Sequence, residues 1–144
     1  MVFHAVFFTV LLLDQFTKFL ALHRLGHSSI PVIPQFFHLT LVHNTGIAFG
    51  IFRQHPQILL VLITLSLIFL FIWGWRKNDL PPTQRIALAL ILGGAVGNWI
   101  DRVRFGAVID FLDFRVWPVF NVADSAITLG ISIFALIFLM KKTP

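Results

Sequence analysis

The chain has 144 residues, of which 58% are hydrophobic and only 12% are charged, and its mean hydropathy is +0.89. Soluble domains carry roughly twice that charged fraction, so these values exclude an ordinary water-soluble protein and indicate a single membrane domain. The absence of cysteine excludes disulfides and thiolate chemistry. The pI is about 10.9, but the basic residues are scattered among the loops and form no basic patch, so they favour contact with an anionic membrane surface over nucleic-acid binding.

Four apolar stretches predict an all-α membrane protein built as a bundle of four transmembrane helices. The stretches are residues 2–22, 57–75, 86–105 and 122–140. The second contains no charge and, at 1.5 Å per residue, extends for about 28 Å, close to the hydrocarbon thickness of a bilayer. A secretory signal peptide is the alternative for the first stretch. It is disfavoured because a basic leading region is missing and Asp14 interrupts the apolar run.

Two longer connections, residues 23–56 and 106–121, join the spans on one side of the membrane. The first contains alternating, β-favouring pieces broken by Pro31 and Pro34, which predict a small β-ribbon or sheet. The second is rich in aromatic and apolar residues, and we expect it to form a loop on the membrane surface.

Basic residues favour a topology with both termini in the cytoplasm, because short cytoplasmic loops carry the excess of Lys and Arg. The basic residues that place these segments in the cytoplasm are Arg76, Lys77 and Arg85 in the link between the second and third spans, and Lys141 and Lys142 after the fourth. The connections 23–56 and 106–121 are then extracytoplasmic.

Aspartates supply all six acids of the chain, and five lie in or beside apolar stretches, where an ionisable group indicates function. Asp110 follows the third span and Asp124 lies in the first turn of the fourth, so both are expected near the outer interface. Two such carboxylates suit an aspartic dyad that shares one proton, in which one activates water and the other donates a hydrogen bond to the attacked carbonyl. On spacing alone, Asp113 could replace Asp110, and Asp124 could simply be an acid in the first turn of a helix.

Other polar residues of the spans are expected to support this pair. Asp14 and Lys18 have the spacing of an intrahelical ion pair that would also line a polar pocket. Asn98 and Asp101 share a helical face, and with Arg102 they would form a buried network.

Three further patterns have less specific interpretations. Gly93 and Gly97 favour close helix packing. His23 and His27 have metal-ligand spacing but no evident third ligand, so no metal site is predicted. Ser125 lacks a nearby His, which disfavours a Ser–His protease.

Five stretches resemble the lipoprotein signal peptidases (signal peptidase II) in order and topology. They are DQFTK at 14–18, VHNTGIAFG at 42–50, GNWIDR at 97–102, AVIDFLDF at 107–114 and FNVADSAITLG at 120–130. The resemblance covers essentially the whole chain, and the combination of FNVADSAI with GNxxDR and VIDF is specific. It implies an aspartic endopeptidase of the bacterial inner membrane. Such an enzyme removes signal peptides from prolipoproteins by cleaving just before a Cys that carries diacylglycerol.

The resemblance also implies which residues form the site. Asp110 and Asp124 would be the catalytic pair, near the extracytoplasmic face, with no metal or cofactor. Supporting or substrate-binding roles would fall to Asp14, Lys18, Asn44, Gly46, Asn98, Asp101, Arg102, Asn121 and Ala123. The partners would be diacylglyceryl-prolipoproteins and membrane lipids, and we expect a monomer.

A small proton-coupled transporter subunit is the alternative function, because such proteins also carry intramembrane acids. It is disfavoured because the acids cluster toward one side, the second span carries none, and no inverted repeat is present. For a peptidase, the segment 44–49 is expected to close over the peptide, with Gly46 and Gly50 allowing it to bend.

Overall fold

The computed structural model describes residues 1–26, 29–46, 55–77 and 79–141. The helices are α1 (Val2–Arg24), α2 (Pro56–Arg76), α3 (Pro82–Phe105) and α4 (Val122–Lys141), and the strands are β1 (Ile30–Ile33), β2 (Phe37–Asn44) and β3 (Val108–Asp113). All four helices are long and apolar enough to cross a membrane, which confirms the four predicted spans.

Proline and glycine set several helix ends. Pro56 and Pro82 are the first residues of α2 and α3, where a missing N–H costs nothing and the fixed φ already suits a helix. Helix α3 stops at Gly106, which adopts a left-handed φ of 71° and donates its N–H to the Arg102 carbonyl. The chain therefore turns sharply between α3 and β3.

Helix α3 lies at the centre of the bundle. Half of its membrane-spanning stretch is buried, compared with 11–22% for the other three helices. Helix α1 packs on one side of it and α4 on another. A Cβ at Gly93 would lie 2.9 Å from the Phe7 carbonyl oxygen, and one at Gly94 would lie 2.5 Å from the Ala123 carbonyl oxygen. Both glycines thus permit close backbone contact between helices. The spacing of Gly93 and Gly97 predicted this for Gly93, whereas Gly94 was not part of that prediction.

Helix α2 is the most peripheral of the four. Within the described part of the chain it packs against α3 and has no comparable interface with α1 or α4. Two clefts result, one between α1 and α2 and one between α2 and α4.

A three-stranded antiparallel sheet in the order β1-β2-β3 lies at one end of the bundle. The Phe36 N–H donates to the Ile33 carbonyl, and Gln35 has a φ of 63°, so Pro34 and Gln35 form a turn of type II geometry between β1 and β2. The ribbon predicted within 23–56 is confirmed.

The expectation that all of 106–121 forms a surface loop is wrong for its first half. Residues 108–113 form β3, which is almost entirely buried and pairs with β2. Phe111 packs against Ala21 and Leu25 at the end of α1, so the strand has apolar cover. Its pairing with β2 satisfies backbone groups that would otherwise be buried without partners.

Candidate active site

Asp110 and Asp124 come from different elements and meet at Asn121. Asp110 lies on β3 opposite Val42, and Asp124 lies in the first turn of α4. The Asn121 side-chain amide donates to Asp110 Oδ1 at 2.7 Å, and the Asn121 backbone N–H donates to Asp124 Oδ2 at 3.3 Å. One buried residue therefore holds both carboxylates, at the bundle end that also carries the sheet.

Asn121 and Asp124 also begin helix α4 together. The Asn121 side-chain oxygen accepts the Asp124 N–H at 2.8 Å, while the Asp124 carboxylate accepts the Asn121 N–H. This reciprocal pair is a capping box, which satisfies two N–H groups that a helix start leaves free. The interpretation of Asp124 as a first-turn acid is thus correct without excluding a chemical role.

Asp110 is enclosed by amides. The Asn44 side chain, at the end of β2, donates to Asp110 Oδ2 at 3.0 Å, while Asn121 holds the other oxygen. Burial raises the pKa of Asp110 to about 7, and the negative charge of Asp124 adds to the rise, against the opposing hydrogen bonds from Asn44 and Asn121. Near neutral pH, Asp110 is therefore poised to hold a proton.

Asp124 is connected to a buried lysine through Asn98. The Asn98 amide nitrogen donates to Asp124 Oδ1 at 2.8 Å, and the Asn98 side-chain oxygen accepts a hydrogen bond from Lys18 Nζ at 2.8 Å. Lys18 Nζ also lies 2.8 Å from Asp14 Oδ2 and 2.7 Å from Asp101 Oδ2. The three donors of the ammonium thus match three acceptors.

The ion pair predicted for Asp14 and Lys18 is confirmed, and so is the burial of Asn98 and Asp101 in one network. Asp14 Oδ1 accepts the Ala123 N–H at 2.9 Å, which joins α1 to the first turn of α4. Gly97 lies against the Asp14 carboxylate, where a Cβ would not fit. This residue therefore makes room for a charged group as well as for helix packing.

Gln15 belongs to the same network, although no role was predicted for it. Its side-chain amide nitrogen lies within 3.1–3.2 Å of Asp101 Oδ1, Asp14 Oδ2 and the Gly97 carbonyl oxygen. Its position beside Asp14 in the DQFTK stretch was the available signal. Asp101 is held further by the Ile109 N–H, which donates to Asp101 Oδ2 at 3.2 Å and ties α3 to β3.

Arg102 connects the network to the chain that follows β2. It donates to the Gly46 carbonyl oxygen at 2.9 Å, and the Gly46 N–H donates to Asn44 Oδ1 at 3.1 Å. The closing movement expected of 44–49 is not described beyond Gly46, because residues 47–50 lie outside the described residues, as does His27.

A cavity of about 390 Å³ lies beside Asp124. Its polar lining includes Asn44, Gly46, Asn98, Arg102, Asp124 and Thr128. Its apolar lining includes Ile63 of α2, Ala95 of α3, Ile127 of α4 and Trp117–Phe120. Asp110 lies behind this surface and is only 1% exposed. The cavity therefore offers polar groups at one end and an apolar wall between α2 and α4.

Asp113 is separated from this arrangement. It accepts hydrogen bonds of 2.8 Å from Thr40 Oγ1 and from the Arg115 N–H, and it forms an ion pair with the Arg115 guanidinium at 3.4 Å. Burial would raise the pKa of Asp113, but these hydrogen bonds and the Arg115 charge hold it below its ordinary value. The geometry thus favours Asp110 over Asp113 as the partner of Asp124.

Fold and site together define a multi-pass membrane protein whose buried polar residues converge on a pair of carboxylates. The family model described as signal peptidase (SPase) II matches residues 6–140. The chain belongs to the signal peptidase II family and is accordingly a peptidase. Within the described residues, no group of three or more His, Cys, Asp or Glu is arranged to hold a metal ion.

Curated relatives and solved structures agree with this assignment. The chain is 48% identical over 126 residues to the lipoprotein signal peptidase of Moorella thermoacetica, covering 86% of this chain and 83% of the relative. It is 42% identical to that of Halothermothrix orenii, covering 92% of both. Nothing in these matches favours a transporter.

Two solved bacterial membrane enzymes share the fold. One, determined by the in meso method at 2.3 Å resolution, has a TM-score of 0.83 at 30% identity, covering 98% of this chain and 89% of that chain. Another, determined at 1.9 Å resolution, has a TM-score of 0.77 at 32% identity, covering 98% and 94%.

Proposed function

We propose that this membrane peptidase removes signal peptides from lipoprotein precursors by aspartic chemistry, with Asp110 and Asp124 as the two carboxylates. The observation that carries the proposal is that one residue, Asn121, binds both side chains beside a cavity at one end of the bundle. Family membership supports the peptidase activity, and the names of the relatives support the class of substrate.

The surroundings of the two carboxylates suggest different roles. Asp110, with a pKa raised to about 7 by burial, holds the shared proton and donates a hydrogen bond to the scissile carbonyl. Asp124 lines the cavity and takes a proton from the attacking water. The hydroxide oxygen then bonds to the carbonyl carbon, and the carbonyl oxygen takes the proton of Asp110. Collapse of this diol intermediate breaks the C–N bond, as one diol hydroxyl returns its proton to Asp110 and the proton held by Asp124 passes to the leaving nitrogen.

Asn44 separates Asp110 from the cavity in this structure, since it lines the cavity and donates to Asp110 Oδ2. We propose that an incoming carbonyl replaces this hydrogen bond. Arg102 and Gly46 support the strand end that carries Asn44, so their predicted roles become positional in this mechanism.

The apolar wall between α2 and α4 suits a lipid-modified substrate. Because α2 packs mainly on α3, the wall formed by Ile63 and Ile127 lies between two helices that share no large interface in the described region. Acyl chains placed there would gain about 0.8 kcal/mol per buried CH₂. Diacylglycerol on the precursor Cys would then hold the bond before that Cys at the depth of Asp124, near the extracytoplasmic face.

The test is cleavage of a diacylglyceryl-modified precursor by the purified protein in detergent, with matched aspartate variants. Asp110→Asn and Asp124→Asn should each lower the rate by at least about 100-fold, since general acid–base groups contribute that much or more. Asp113→Asn should stay within a few-fold of the unmodified protein, and all three variants should remain folded in a thermal unfolding scan. Rapid turnover by either Asn variant of the pair would refute the dyad.

A second comparison tests the substrate class separately. One precursor peptide is offered with and without diacylglycerol at matched concentration in mixed micelles. The lipidated form should be cleaved much faster, because the lipid both concentrates and orients the scissile bond. Equal rates would contradict the lipid requirement and leave the aspartic chemistry standing.

A further inference from the structure

A second and larger cavity, of about 740 Å³, lies at the bundle end opposite the carboxylate pair. It is formed by the beginning of α1, the end of α2 and the beginning of α3. Its size falls within the roughly 300–1,000 Å³ of small-molecule sites. None of the residues placed in the active site lines it, so the peptidase mechanism leaves it unexplained.

The walls of this cavity are apolar and rich in aromatic rings. Phe7 of α1 and Phe71 of α2 both line it and meet edge to face, with ring centroids 6.1 Å apart. Phe8 and Trp75 also line it and are 53% and 83% exposed. In a spanning bundle such exposed rings face lipid, so the cleft between α1 and α2 is accessible to an acyl chain from the bilayer.

The rim of the cavity is basic. Lys77 and Arg85 both line it, together with His4, and none of the lining residues is acidic. The Arg85 Nε–H donates to the Leu80 carbonyl oxygen at 2.8 Å, which fixes that guanidinium at the rim. Asp79, the acid of the same connection, is exposed and does not line the cavity. An apolar slot thus ends at two cations.

We propose that this cavity binds one anionic phospholipid, with an acyl chain between α1 and α2 and the phosphate at Lys77 and Arg85. Charge distinguishes this occupant from the alternatives. The basic leading region of a signal peptide would be repelled by the rim, and a zwitterionic lipid would gain less from it. Lipid binding at this site does not depend on the cleavage chemistry, so the proposal can be tested separately from the proposed function.

The experiment measures lipid binding to the purified full-length protein by native mass spectrometry. Phosphatidylglycerol and phosphatidylcholine with identical acyl chains are compared, with inorganic phosphate as the chain-free probe. Phosphatidylglycerol should form a one-to-one complex at least about 10-fold more tightly than phosphatidylcholine, because each basic residue near an anionic surface contributes about fivefold. Phosphate alone should not compete.

The matched variants are Lys77→Gln, Arg85→Gln and Arg76→Gln. Each of the first two should weaken phosphatidylglycerol binding about fivefold and leave phosphatidylcholine binding unchanged. Arg76 is exposed beside Lys77 but does not line the cavity, so its variant should bind normally. All three replaced residues are exposed, and unfolding temperatures without lipid should stay unchanged.

Three outcomes would overturn the proposal. Equal binding of the two lipids would remove the role of charge, and equal losses in all three variants would indicate general surface attraction. Binding of phosphate as tightly as phosphatidylglycerol would leave an anion site with no role for the apolar slot.

Discussion

Replacing Lys18 with methionine tests whether the buried charge network holds the site together. The Lys18 side chain is 3% exposed, and its partners Asp14 and Asp101 are 0% and 1% exposed. The substitution keeps the length and apolar stem but leaves two buried carboxylates without their cation. Breaking a buried ion pair from one side costs about 3–5 kcal/mol. At about 2–4 °C per kcal/mol for a chain of this size, the unfolding temperature should fall by roughly 10 °C.

Two further variants make the comparison specific. Lys18→Met combined with Asp101→Asn restores the net charge of the cluster, so it should recover part of the lost stability. Arg24→Met removes an exposed cation from the same helix and should change the free energy of unfolding by less than about 0.5 kcal/mol.

Thermal unfolding in one detergent gives the stability of each variant, and cleavage of the lipidated precursor gives its activity. Lys18→Met should also lower cleavage, because the Asn98 side-chain oxygen loses one of the two hydrogen bonds that orient its amide toward Asp124. An unfolding temperature within 2 °C or so of the unmodified protein would refute the reasoning, since such a small change is typical of exposed sites.

The remaining predictions concern pH, packing, topology and metals. The cleavage rate should fall as pH rises through about 7, because Asp110 then loses its proton. The folded state binds that proton more tightly than the unfolded state, so the unfolding temperature should also fall between about pH 4 and 7. Asp110→Asn should reduce this dependence of the unfolding temperature on pH. Gly94→Ala should lower both stability and activity, because its Cβ would press on the Ala123 carbonyl in the turn that carries Asp124; Gly26→Ala, in open space, is the control. Reporter fusions at the C-terminus should be active only as cytoplasmic reporters, and an externally active fusion would invert the proposed topology. Cleavage should persist in EDTA, and its loss with rescue by one divalent ion would contradict the two-carboxylate mechanism.

Hydropathy was sufficient to predict the four helices, because lipid imposes length and apolarity on any spanning segment. The same topology placed Asp110 and Asp124 near one end. Spacing alone did not choose between Asp110 and Asp113, because 106–121 was predicted as a loop. Once β3 is known, the three-residue separation puts the two side chains on opposite faces of a strand, and only Asp110 then contacts Asn121.

The sequence did not reveal β3 because its partners are distant along the chain. Its apolar residues pack on the end of α1, and its backbone pairs with β2, more than 60 residues earlier. Gln15 escaped prediction for the same reason. Helical spacing identified Asp14 and Lys18 as neighbours, whereas the contact between Gln15 and Asp101 depends on how α1 packs against α3.

The hydrogen bond from the Ala123 N–H to Asp14 joins residues 109 positions apart. During synthesis the first helix must therefore wait in the membrane, with its carboxylate lacking this contact, until the last helix is inserted. Asp124 and its capping partner Asn121 also arrive only with that last segment. A ribosome-bound or truncated chain would thus hold no assembled pair of carboxylates, so an unfinished copy of the proposed peptidase could not cut its neighbours at the translocation site.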